Sequence, residues 1–175
     1  MNCLVNRLLS VFVNICLLRA APQDLPVSGF LLMLTAGLSL VSGTLVLQDS
    51  FGGLFQGFLA QLLDLALLAI LLQLVLVFKH KPERFAQTCT ALFGTGVLLN
   101  LATIPTILMM SDDPSASPPG ELAMLLYLLL MLWVLVVIAH ILRHTLEIRL
   151  GNGFVLAVGY FFLVNWLAQL LFEIG

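Results

Sequence analysis

One carboxylate and three amides are the groups in this 175-residue chain whose types and depths point to chemistry. Asp64 lies near the middle of an apolar run, LFQGFLAQLLDLALLAILLQLVLVF, from Leu54 to Phe78. An ionisable side chain is expensive at such a depth and needs a reason to be there. Asn100 and Asn165 sit at similar depth in two later apolar runs, and Gln61 lies one helical turn from Asp64. If those faces converge, both asparagine amides can hydrogen-bond the carboxylate. Two readings follow. Asp64 is a protonatable site in a proton or solute pathway, or it is a hydrogen-bonded carboxyl group that holds the helices together.

Two further sets carry weaker signals. His140, His144 and Glu147 follow an H-x3-H-x2-E spacing, which on a helix puts them on one face and suggests a metal site. With no HExxH motif and no fourth ligand, the plainer reading is a set of interfacial polar residues, with Arg143 and Glu147 as an i,i+4 ion pair. We expect no metal. The basic loop KHKPER supplies Lys79, Lys81 and Arg84, and Arg7, Arg143 and Arg149 add to it. These cations can hold anionic lipid headgroups or an acidic partner segment, or act only as topology signals. Cys3, Cys16 and Cys89 form no CxxC pair and read as free thiols. No nucleophile with a base and no phosphate-cradling glycine loop is present. We therefore expect neither an enzyme nor a cofactor.

The elements that must position these groups are membrane helices. The chain is 61% hydrophobic and 9% charged, with a mean hydropathy of +1.13, far below the roughly one quarter charged residues of a soluble domain. The seven Lys and Arg are too few for a nucleic-acid surface. The expected fold is all-α: one bundle of five transmembrane helices over residues 22–175, preceded by an amphipathic interfacial helix over 1–21. In that first helix Asn6, Ser10 and Asn14 make a polar stripe beside Arg7, suited to the membrane surface. It is broken enough by polar residues to read as retained rather than as a signal peptide. Pro22 and Pro26 then turn the chain into the bilayer.

The spans are expected at about residues 27–47, 54–78, 86–110, 122–142 and 154–172, each long enough to cross at 1.5 Å per residue. Pro105 should kink the third, with Thr103 or Thr106 re-satisfying the freed carbonyl. Ser111 to Glu121 reads as an extended loop. The fourth helix should run on through Arg149 and stop at Gly151 and Gly153. Ala36, Ser39 and Gly43 form a small-residue packing face, and Gly53 and Gly57 a GxxxG. The aromatic residues of the last span, Tyr160 among them, read as packing or lipid-facing groups.

With five spans every Lys and Arg falls on one side, while Asp49, Asp112, Asp113, Glu121 and Glu173 fall on the other. The positive-inside rule then puts the N-terminus in the cytoplasm and the C-terminus outside. A cytoplasmic N-terminal segment, a proline-marked entry and five tightly spaced spans resemble the Yip1-domain membrane proteins, the short bacterial members most of all. That resemblance implies a non-enzymatic, multi-pass inner-membrane protein working through lateral contacts with lipids, other membrane proteins or a second copy of itself. The leading functional expectation is a scaffold or accessory subunit of a membrane assembly. The alternative is a proton-coupled small-solute carrier or channel component using Asp64.

Overall fold

Long apolar runs in hydrocarbon leave the backbone few ways to satisfy its own N–H and C=O groups, and the helix does so within one segment. The computed structural model describes residues 2–110 and 118–172 and is all-α over them. Helix α1 covers Asn2–Cys16, α2 Gly29–Leu47, α3 Leu54–Phe78, α4 Phe85–Met110, α5 Pro118–Leu146 and α6 Leu150–Phe172. The last five are long and apolar enough to cross a membrane, whereas α1 is shorter. Single-turn 3₁₀ segments, Pro22–Asp24 and Pro82–Arg84, lead toward α2 and into α4. The chain is a multi-pass membrane protein. Large apolar side chains point outward along every span, Phe30, Phe55 and Phe78 among the most exposed, and a bilayer would cover them.

The five spans form a ring. Helix α2 packs along both α3 and α4, α4 along α5, and α5 along α6. A thin seam between α6 and α3 closes the circle. Helix α1 lies outside the ring, against α4 and α5. Its Phe12 and Ile15 are buried in the core, and the Phe12 ring occupies the space a Cβ on Gly94 would need. Leu9 and Val13 on its other side, and Leu17 just past its end, stay exposed, as does the polar stripe at Asn6, Arg7 and Ser10. The apolar side of α1 is thus divided between the bundle and the surroundings.

Helix ends explain the connections. Ser28 Oγ accepts from Leu31 N–H at 3.3 Å and starts α2. Helices α1, α3 and α5 all stop at the basic end of the bundle, each on a non-glycine residue in the left-handed region: Leu18 (φ 61°), His80 (φ 57°) and Glu147 (φ 55°). In each, the next N–H reaches back five residues: Arg19 to Asn14, Lys81 to Leu76 and Ile148 to Arg143. That is the Schellman closure of a helix C-terminus. A left-handed side-chain-bearing residue costs about 1–2 kcal/mol, so tertiary contacts must hold these turns in place.

The fourth helix therefore differs from expectation. It begins at Pro118 and ends at Leu146, short of Arg149. Gly151 and Gly153 terminate nothing; they sit in the first turn of α6. A Cβ on Gly153 would stand 2.7 Å from the Ala139 carbonyl oxygen, so this glycine serves close approach of α6 to α5. Helix α4 continues through Pro105 to Met110. Thr103 Oγ1 donates to Leu99 O at 2.9 Å and Thr106 Oγ1 to Thr103 O at 2.6 Å. Neither serves the Leu101 carbonyl freed by the proline. The loop expected over Ser111 to Glu121 has its residues 111–117, with Asp112 and Asp113, outside the described residues, as is Glu173; Pro118 to Glu121 belong to α5.

Candidate functional site

The ring encloses a cavity of about 290 Å³ to which all five spans contribute. Ser39 and Gly43 come from α2, Gln61 and Asp64 from α3, Thr95, Asn100 and Thr103 from α4, Tyr127 and Met131 from α5, and Tyr160 and Asn165 from α6. The four polar residues singled out from the sequence thus line one space. Asn165 is exposed and stands at its rim, whereas Gln61 is buried at 6%.

They do not bond one another as expected. Tyr160 Oη donates to Asp64 Oδ1 at 2.5 Å and to the Asp64 carbonyl oxygen at 2.9 Å. Asn100 Nδ2 donates to Ser42 Oγ at 3.2 Å, and Asn165 Nδ2 to Phe161 O on its own helix at 2.8 Å. The reason is one of register. With α6 starting at Leu150, Tyr160 lies about 18 Å from the helix end at Phe172, and Asp64 about 15 Å from the corresponding end at Leu54, at 1.5 Å per residue. Asn165 is only about 10 Å in by the same rise, more than half a turn nearer the surface. Tyr160 therefore reaches Asp64 across the α3–α6 seam. A phenol at matching depth was the available sequence signal, concealed among the aromatic residues of the last span.

The small residues are spent inside the chain. The Gln61 side-chain amide fills the place of a Gly43 Cβ. A Gly57 Cβ would meet Gln48 N at 3.0 Å and Thr44 O at 3.2 Å, which brings the ends of α2 and α3 together. Ser39 faces Gly96 on α4, and Ala36 packs on the core. Gly53 caps α3 at φ 149° with open space around it, so the GxxxG is a turn plus an intramolecular contact.

The basic end is a lock built on the end of α5. Because Glu147 lies past the helix in a left-handed conformation, it does not pair with Arg143. It takes Lys81 Nζ at 2.5 Å and Arg84 Nη2 at 2.8 Å, and these cations hold its carboxyl below the usual range. Arg84 Nη1 also donates to Thr145 O at 3.1 Å. Gln23 Nε2 donates to His144 O at 2.9 Å, and Thr88 and Thr145 hydroxyls meet at 3.1 Å. His140 Nε2 donates to Ala20 O at 3.0 Å, and its ring meets His144 edge-on. Glu147 thus leaves the face that His140 and His144 share, and no group of three or more His, Cys, Asp or Glu that could hold a metal ion occurs among the described residues. Arg7, Lys79, Arg143 and Arg149 are exposed and form no ion pair among the described residues. Cys16 and Cys89 are free thiols, while the Cys3 side chain lies outside the described residues.

No family model, no curated protein and no solved structure matches the chain. The architectural likeness to Yip1-domain proteins has no match to support it.

Proposed function

We propose that this chain is a bacterial inner-membrane protein, N-terminus cytoplasmic, that takes a small solute into the mid-membrane cavity and couples its occupancy to a proton on Asp64. The arrangement of Asp64 supports this reading. Ionisable side chains within membrane spans face the bundle interior or a cavity and mark substrate, ion or proton pathways. Asp64 has one phenol, across the thinnest seam of the ring, and its second oxygen has no partner among the described residues. Among the described residues the other titratable groups lining the cavity are Tyr127 and Tyr160, with no cationic side chain in the lining. A proton arriving at Asp64 can settle on the free oxygen and weaken the other as an acceptor for Tyr160, and the α3–α6 seam is where such a change would be felt.

Reconstitution tests it. Proteoliposomes with a trapped pH dye and an imposed potential should pass protons through the wild type and lose that flux in Asp64→Asn. Equal flux in the variant, with the folded protein intact, refutes the proposal. A scaffold or accessory subunit remains the second reading, favoured by Gly37 on α2 and Gly159 on α6. Both are exposed, and a Cβ at either position would meet no atom of another helix within 4 Å, so a partner helix has room to approach. Gly37→Leu with Gly159→Leu should then abolish a co-purifying partner or homodimer while Asp64→Asn leaves it in place.

A further inference from the structure

Which solute fits is written in the direction of the hydrogen bonds around the cavity. Thr95 Oγ1 donates to Ala91 O at 2.7 Å and Thr103 Oγ1 to Leu99 O at 2.9 Å. Ser42 Oγ donates to Ser39 O at 3.3 Å, so toward Asn100 it acts as acceptor, and the Asn100 amide must turn its nitrogen to Ser42. The bond to Phe161 O fixes the Asn165 amide in the same way, since a carbonyl only accepts. Tyr160 spends its proton on Asp64. These bonds leave Asp64 Oδ2, Asn100 Oδ1, Asn165 Oδ1 and the threonine lone pairs as acceptors, beside the Gln61 amide, the Tyr127 hydroxyl and the second N–H of each asparagine, which can also donate, so that Asp64, the carboxylate among the lining groups, sets the charge of the solute. Among the described residues no Lys, Arg or His lines the cavity, so an anion finds no counter-charge there. Among the described residues Asp64 has no second carboxylate, histidine or thiol grouped with it to hold a metal ion. Phe93, Tyr127 and Phe161 supply aromatic wall, which suits an organic cation.

We infer that the cavity binds a protonated amine: a small organic cation with N–H donors and a short apolar or aromatic body. The ammonium faces Asp64 Oδ2 and the asparagine carbonyls, and the body lies among the aromatic and aliphatic side chains. The volume is at the small end of ligand pockets, about 300–1,000 Å³. This inference rests on the cavity being a solute site, and it adds the solute's charge and donor pattern.

Three probes with the same body decide it: 2-phenylethylammonium, 2-phenylethanol and phenylacetate. Each is titrated calorimetrically into protein in lipid nanodiscs, with empty nanodiscs subtracted. The ammonium should bind about tenfold or more tightly than the alcohol, as expected for a charged hydrogen bond over a neutral one, and phenylacetate should not bind. Asp64→Asn, which keeps the acceptor for Tyr160, should lower the ammonium affinity about tenfold, to the level of the alcohol. Asn165→Leu, at an exposed position whose amide bonds only its own helix, should lower it about threefold, with unchanged elution and unfolding as the check on folding. Equal affinities for ammonium and alcohol, preference for phenylacetate, or unchanged ammonium binding in Asp64→Asn would overturn the inference. If no probe binds while Asp64-dependent proton flux persists, the amine is wrong and the proton-coupled reading stands. If flux is absent as well, both fall.

Discussion

Removing the Tyr160 hydroxyl is the most direct probe of how the ring is closed. Tyr160→Phe deletes two bonds at once, to Asp64 Oδ1 at 2.5 Å and to the Asp64 carbonyl at 2.9 Å. Side-chain hydrogen bonds between membrane helices contribute about 0.6 kcal/mol on average and up to about 1.7 kcal/mol. A short bond to a carboxyl group belongs at the upper end of that range, and the backbone bond adds about 0.5 kcal/mol. The substitution should therefore cost about 1–2 kcal/mol. Asp64→Leu removes the carboxyl partner and leaves the carbonyl, so Tyr160→Phe in that background should still cost about 0.5 kcal/mol. The coupling from the double-mutant cycle should be about 1 kcal/mol. Reversible unfolding in mixed micelles, titrated with SDS and followed by tryptophan fluorescence, gives all four free energies. A coupling within about 0.3 kcal/mol of zero would refute the contact as an energetic tie between α3 and α6.

The other predictions concern the ends and the packing of the helices. Gly57→Ala drives a Cβ onto the backbone of Gln48 and Thr44 and should cost about 1–3 kcal/mol, whereas Gly37→Ala, in open space, should gain up to about 1 kcal/mol from helix propensity; unfolding midpoints in the same micelles check both. His80→Gly relieves the left-handed C-terminal turn of α3 and should stabilise by about 1 kcal/mol, and an unchanged or lower midpoint would contradict the assigned backbone. The Glu147 carboxyl is held below its unfolded value by Lys81 and Arg84. Its stabilising effect is therefore complete above the unfolded pKa of about 4.5 and is lost as pH falls through the lower folded value. Glu147→Gln should flatten that acidic limb of the stability–pH curve while leaving the limb above pH 6 parallel to wild type.

Much of the architecture is legible in one dimension because the bilayer imposes a one-dimensional rule. A run such as Leu54 to Phe78 must be helical to satisfy its backbone, whatever it packs against. The two starting prolines, Pro22 and Pro82, likewise mark short turns without reference to neighbours. Boundaries at the basic end were less legible. Nothing local in LRHTLEIRLGNG says that Glu147 will turn left-handed, and the glycines beyond it look like the natural stop. What ends α5 early is a set of distant partners, Lys81, Arg84, Gln23 and Thr88, that converge on its last carbonyls and on Glu147.

The candidate site divides in the same way. Composition and charge alone determine a multi-pass helical chain with its cations gathered at one end and one carboxylate at mid-depth, because hydrophobic length and the cost of moving charge act on each segment separately. Depth also brings Asp64, Asn100, Asn165 and Gln61 within reach of a common space. Which atoms bond depends on the rotation and axial register of each helix against its neighbours, where a shift of one residue turns a side chain by about 100°. Only the packed ring decides that Tyr160, not an asparagine, meets Asp64, that Gly43 yields its space to Gln61, and that the polar residues line one cavity.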